Sequence, residues 1–272
     1  MVKTSPLVRL VLRLTVVVYL VGLVAWPVTM VVRQTFEEGF TYILDSFDDP
    51  NVVNALQLTL VATVASVLIN LVFGVTISIL LVRYQFPGKR LLSAMIDMPL
   101  SVSPVVVGLA LLLVYNPRDG WFGKGLAEAG VQIIFSTPGI IMATTFVALP
   151  LVIREVVPVL EEIGDEQEWA ARSLGANAVQ TFRRITLPSI RWAVIYGVVL
   201  TLARSLGEFG AVKVVSGNIV GATQTTTLVI EERYQNFDRP TAFALAFLLM
   251  FAAILCIVIV SILRVRHESR SH

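Results

Sequence analysis

Six long apolar runs divide the chain, with the polar residues gathered between them. They cover residues 10–32, 58–82, 91–115, 136–160, 193–215 and 241–263. Each is close to the roughly 20 residues that cross a bilayer as an α-helix. The third run is interrupted by Pro99 and Pro104, and the fifth carries Arg204, Glu208 and Lys213. These two are the least regular of the six. The pattern predicts an all-α polytopic membrane protein of six transmembrane helices, folded as a single membrane domain over residues 1–272.

Composition narrows the class. Hydrophobic residues make up 56% of the 272 positions and charged residues only 15%, with a mean hydropathy of +0.80. A disordered chain, a fibrous protein and an ordinary soluble enzyme are all excluded by those values. The length is taken up by six crossings and short loops, with no room for an attached soluble domain of ~100 residues. Cys256 is the single cysteine, so neither an intrachain disulfide nor a cysteine metal cluster is expected. His267 and His272 are the two histidines, both in the C-terminal tail, which argues against a histidine dyad or a metal site in the membrane.

The distribution of positive charge orients the crossings. Lys3, Arg9 and Arg13 precede the first run, and Arg83, Lys89 and Arg90 lie between the second and third. Arg154, Arg172, Arg183, Arg184 and Arg191 lie between the fourth and fifth, and Arg264, Arg266 and Arg270 follow the sixth. These segments hold fourteen of the 21 Lys and Arg residues, against five on the opposite side: Arg33, Arg118, Lys124, Arg233 and Arg239. The positive-inside rule places both termini in the cytoplasm, which requires an even number of crossings. Trp26, Trp121 and Phe122 near one boundary and Tyr84, Phe86, Trp169 and Trp192 near the other form interfacial belts. The first run is too long for a signal peptide, and 25–27 is a poor cleavage site, so a retained helix is expected.

The segment 154–191 is the most informative. It begins with acids (Glu155, Glu161, Glu162, Asp165, Glu166, Glu168) and continues through Trp169, Ala170, Ala171, Gly175 and Ala176 to Phe182, Ile185, Leu187 and Pro188. Residues 168–174 and 179–185 favour helix. Gly175 is suited to end the first helix in a left-handed conformation, and Pro188 to stop the second. Two short cytoplasmic helices meeting at a bend of small residues are expected. Composition leaves open whether they are a solvated connector or a docking element.

This segment resembles the EAA loop of ABC-importer permeases, E-A-A-x3-G-x9-I-x-L-P. Trp169, Ala170, Ala171, Gly175, Ile185, Leu187 and Pro188 take the aligned positions, and nine residues separate Gly175 from Ile185. The departure is Trp169 in place of the usual Glu, with Glu168 just before it. The stretches 203–211 and 103–108 look like the permeases for sulfate, thiosulfate and molybdate, and 213–218 like the CysW-type subunit of the sulfate family. The resemblance implies a type I ABC-importer permease fold, with 154–191 acting as the coupling loop. It implies partners: a cytoplasmic ABC ATPase dimer carrying ATP and Mg, a second, non-identical permease subunit, and a periplasmic or lipid-anchored sulfate-binding protein. It assigns ATPase coupling to Glu168, Trp169, Ala170, Ala171, Gly175, Ala176, Phe182, Ile185, Leu187 and Pro188. The substrate it implies is sulfate or thiosulfate, with molybdate or tungstate as the alternative.

The charges within the fifth run are candidates for an anion path. At 1.5 Å per residue from Trp192, Arg204 lies roughly 18 Å and Glu208 roughly 24 Å into the membrane. The two stand at i and i+4, on one face, where they pair. Charge at that depth is costly unless paired or facing water. A structural ion pair and a path-lining Arg204 held in place by Glu208 are equally compatible with the spacing. Ser101 and Ser103 beside Pro99 and Pro104 either satisfy freed backbone groups or donate to a passing oxyanion. Asn70 and Ser66 read as helix–helix contacts, Gly207 and Gly210 as close approach or a local break, and Asp97 as an interfacial cap.

The phosphate-cradling pattern G-x4-G-K-[ST] does not occur, so the chain itself is not the ATPase, and no cofactor is expected on it. The basic residues are spread over four segments, which argues against nucleic-acid binding. An ion-coupled secondary transporter would be expected to show internal repeats, and none is evident. An intramembrane enzyme is disfavoured by the absence of histidine and of a carboxylate pair in the spans.

Overall fold

The computed structural model describes residues 6–37 and 44–268, with side chains over 7–37 and 44–262. Lys3, Arg270 and His272 lie outside the described residues. The described secondary structure is all helical. The first crossing is α1 (Pro6–Leu20) and α2 (Trp26–Phe36), joined without a break by a π-helical turn, Val21–Ala25. The second is α3 (Pro50–Arg83), 34 residues long, opened by Asp49, whose carboxylate accepts a hydrogen bond from the Asn51 amide. The short α6 (Gly123–Glu128) precedes the fourth crossing, α7 (Thr137–Ile163), and the sixth is α13 (Arg239–Glu268). Among the described residues, five helices are long and apolar enough to cross a membrane, and one bent helix pair, taken as a single span, makes a sixth.

The two irregular runs depart from straight crossings. The third is two helices, α4 (Lys89–Ser101) and α5 (Pro104–Tyr115), with a bend of 115° between them. Pro104 crowds the residue before it out of the α region, and Ser103 is accordingly extended at ψ 135°. The fifth crossing is shifted toward the N-terminus. It runs from α9 (Ala178–Thr181) through a π-helical turn, Phe182–Thr186, into α10 (Leu187–Leu206), and breaks at Gly207 before the short α11 (Gly210–Ser216). Pro188 therefore does not stop the second loop helix. The wide turn carries the Leu187 amide back to Phe182 O, so Pro188 falls in the first turn of α10, where its missing N–H costs little. Asp97 is not near a helix start. It stands within α4 and pairs with Arg154 of α7 at 3.0 Å.

The core is built where α3, α7 and α10 cross. Val152 of α7 is gripped from both sides: a methyl added at Gly74 of α3 would lie 2.8 Å from its Cβ, and one at Gly197 of α10 would lie 2.8 Å from its Cα. Val75, Val156, Leu160, Ile190 and Ala193 extend this contact toward the loop end, with Phe182 packed against it. Ser66 Oγ donates to Ile141 O at 3.2 Å and Asn70 Nδ2 to Thr145 O at 3.1 Å, so both act as α3–α7 contacts. At the other end, α12 (Thr226–Gln235) is fastened by Arg233, which pairs with Asp49 and Asp238. The first crossing leans on α13 at its α2 end. There Thr35 donates to Phe243 O at 3.0 Å and the Phe36 ring meets Phe247 edge-on.

Candidate functional site

Between α7 and α9 stands α8 (Glu166–Ser173), and its end is fixed by two standard backbone devices. Gly175 adopts φ +88°, as its position after the helix requires. The Gly175 amide donates to Arg172 O at 2.9 Å and the Ala176 amide to Ala171 O at 3.0 Å, the paired bonds of a Schellman ending. Asn177 then opens α9 with a capping box: Gln180 N donates to Asn177 Oδ1 at 2.9 Å, and Asn177 N donates to Gln180 Oε1 at 3.0 Å. The bend is thus held by its own hydrogen bonds rather than by packing. That leaves its outer surface available.

The residues assigned to coupling divide into two groups. Trp169, Ala170, Gly175, Leu187 and Pro188 are exposed. Ala171, Ala176 and Ile185 are half-buried, and Phe182 packs into the core. Glu168 is buried, accepting hydrogen bonds from Arg83 Nε at 3.1 Å and Thr186 Oγ1 at 2.9 Å. Trp169 turns outward, 59% exposed, with its indole N–H on Asp165 and the Arg172 guanidinium over its ring. Sequence reasoning passed over the most exposed apolar residues of the bend, Leu174 at 90% and Val179 at 65%. The signal for them was an isolated Leu and Val in an otherwise small and polar turn. For Arg83, 85 residues before Glu168, no sequence signal existed.

The second candidate site lies where the two broken crossings meet. A methyl on Gly210 would stand 3.1 Å from Pro104 Cβ and one on Gly108 2.8 Å from Ala211 O, so the start of α5 packs directly on α11. Arg204 Nη1 and Glu208 Oε2 are 2.7 Å apart, an ion pair at the i, i+4 spacing. Glu208 also accepts the Ala211 amide at 3.0 Å, capping α11, while its backbone oxygen accepts Thr227 Oγ1 at 2.9 Å. The carboxylate is sealed in, but the Arg204 side chain remains 39% exposed. Ser103 adjoins this junction through Pro104, and Ser101 is the last residue of α4. Both serines are exposed, and no hydrogen bond among the described residues joins either to the ion pair. No group of His, Cys, Asp and Glu able to hold a metal occurs among the described residues.

Among the described residues, the fold is thus a membrane domain of broken crossings with an ordered helix–bend–helix between its fourth and fifth spans. Residues 70–271 match the family of the binding-protein-dependent transport system inner membrane component, and the chain belongs to that family. Within it the chain groups with sulfate permeases. It is 47% identical over 248 residues to the sulfate transport system permease protein CysW of Synechocystis sp., covering 91% of this chain and 90% of that one. It is 38% identical over 244 residues to the sulfate transport system permease protein CysT of Salmonella typhimurium, covering 90% and 88%. The fold is shared with a bacterial alginate ABC transporter crystallised in complex with an alginate pentasaccharide-bound periplasmic protein. The TM-score is 0.72, with 19% identity over 97% of this chain and 94% of that one.

Proposed function

We propose that this chain is one of two transmembrane subunits of an ATP-driven importer that carries sulfate and thiosulfate across the bacterial cytoplasmic membrane. The substrate rests on the sulfate permeases named above, CysW and CysT, both of which resemble the chain over nine-tenths of its length. That two such relatives exist also supports a non-identical second permease as partner. A periplasmic sulfate-binding protein is the counterpart of the periplasmic protein bound to the alginate transporter.

The observation that carries the ATP-driven reading is the bend at Gly175. Exposed Trp169, Leu174 and Val179 project from a backbone fixed by its own caps, an arrangement suited to a cleft on a separate ATPase. ATP and Mg belong to that subunit. Closure of the ATPase dimer displaces α8, and the crossings follow because α8 leads into α7 on one side and α10 on the other. Arg204 lines the anion path with its exposed flank. Glu208 orients it and offsets its charge, so that a dianion is attracted without being trapped. Ser101 and Ser103 donate to the anion at the mouth of the break. Both termini face the cytoplasm.

The test is labelled sulfate uptake in cells lacking the chain, with and without its restoration, competed by thiosulfate and by molybdate. Restored uptake that thiosulfate blocks and low molybdate spares is the expected result. Restored molybdate uptake without sulfate uptake would instead place the chain with molybdate or tungstate permeases.

A further inference from the structure

We propose that Glu168 works inside the chain as a positioning residue, locking α8 to the ends of three membrane helices, and does not contact the ATPase. This rests on the reading of α8 as the ATPase-docking helix. It separates the residues that are gripped from those that transmit.

The geometry is a closed set of buried hydrogen bonds. Arg83 ends α3, and its side chain is 12% exposed. Its Nε donates to Glu168 Oε2 at 3.1 Å, Nη1 to Leu160 O at 3.0 Å and Nη2 to Gly164 O at 2.7 Å. The two carbonyls belong to the last turn and end of α7, where helical partners run out. The other carboxylate oxygen of Glu168 accepts Thr186 Oγ1, the last residue of the π-helical turn that enters α10. One carboxylate and one guanidinium therefore join α8 to α3, α7 and α10 at once. Glu168 has both oxygens engaged inward and only 11% of its side chain exposed, which leaves a partner little of it to reach. Its neighbour Trp169 faces the other way. The helical turn of 100° between successive residues puts the acid on the inner face and the indole on the outer one.

The mechanical consequence follows from the cost of separating the set. Moving α8 alone would strand a buried charge, so α8 moves together with the helix ends it holds. Those ends sit directly against the core formed by Val75, Leu160 and Ile190. Displacement of the loop is thereby delivered to three crossings at the same level rather than absorbed in the bend.

The test uses the complete transporter in proteoliposomes: both permeases, the ATPase and the binding protein. Two quantities are read, the ATPase retained on the complex and the sulfate imported per ATP hydrolysed. Glu168→Ala and Arg83→Ala should each retain the ATPase and lower import per ATP about tenfold, within the usual range of coupling between sites. The double variant should be no worse than either single one, and Arg83→Lys should recover part of the ratio. Loss of the ATPase from Glu168→Ala but not from Arg83→Ala would overturn the proposal, as would an unchanged import ratio in both. Glu168→Gln, which keeps the shape, covers the case of misfolding: if it too fails to reach the membrane, the pair serves folding and the proposal falls. Leu174→Asp tests the underlying docking reading separately. If it keeps both ATPase and transport, α8 is not the docking helix, whatever Glu168 does.

Discussion

At the scale of single residues, the Arg204–Glu208 pair shows how one side chain holds structure while its partner stays available. Glu208 is 3% exposed and serves both Arg204 and the α11 amide, whereas Arg204 is 39% exposed. Removing Arg204 strands the buried Glu208 charge, at up to about 3–5 kcal/mol before the discount for the exposure of Arg204, and removing Glu208 leaves the Ala211 amide without its acceptor, at about 1–3 kcal/mol. Either single alanine substitution should therefore lower thermal stability, and uptake alone cannot tell structure from path. The combination Arg204→Met with Glu208→Gln resolves this. The amide oxygen of Gln still accepts from Ala211, and no charge is left unpaired. We expect its thermal midpoint in detergent to return close to that of the unmodified protein, with sulfate uptake still reduced about tenfold or more, the loss of roughly one charge-assisted hydrogen bond. Recovery of uptake along with stability would make the pair purely structural. The i, i+4 spacing made the pair itself legible in the sequence. Its place at a helix end, with Glu208 capping the next helix, was not, because that depends on where α10 breaks.

At the scale of elements, the sequence pattern located the four regular crossings to within a few residues at most ends, apart from the longer start of α3. Apolar length and flanking charge are local properties of the chain. It also marked Gly175 as the end of α8. It misjudged the two crossings whose course depends on backbone events: the extended residue before Pro104 and the wide turn that carries the chain past Pro188. Contacts such as Arg83 with Glu168, or Val152 between two glycines, join positions far apart and leave no periodic trace. The glycines provide a direct check on the packing. A methyl at Gly197 meets the Val152 backbone at 2.8 Å, and backbone cannot turn aside as a side chain does, whereas a methyl at Gly207 meets nothing within 4 Å. Gly197→Ala should destabilise the protein by about 1–3 kcal/mol, as overpacking does. Gly207→Ala should be close to neutral, since its φ of −96° suits alanine. Thermal unfolding of the two purified variants decides it, and equal midpoints would refute the close α7–α10 crossing.

At the scale of the whole molecule, function depends on which end of the bundle faces which compartment. Basic residues concentrate at the end that carries α8, and on that ground we propose that this end faces the cytoplasm, together with both termini. The opposite end carries the 217–225 loop, held by Thr223 donating to Ser216 O at 2.6 Å, with Val220 exposed at its tip. Since Cys256 is the single cysteine, its replacement by Ser gives a background in which one introduced thiol reports one position. Leu174→Cys should react with a membrane-impermeant maleimide in inverted vesicles and not in intact spheroplasts, and Val220→Cys should do the reverse. Both sites are exposed, so both should react once the membrane is dissolved in detergent. Labelling of the two from one side would break the six-crossing topology. Labelling in the inverse sense would put the bend proposed to dock the ATPase in the wrong compartment, away from ATP. Adding the ATPase to the inverted vesicles carries the measurement one step further. A protected Leu174→Cys beside an unprotected thiol at Lys124, on the far side of the membrane, in permeabilised vesicles would mark the bend as the surface the ATPase covers.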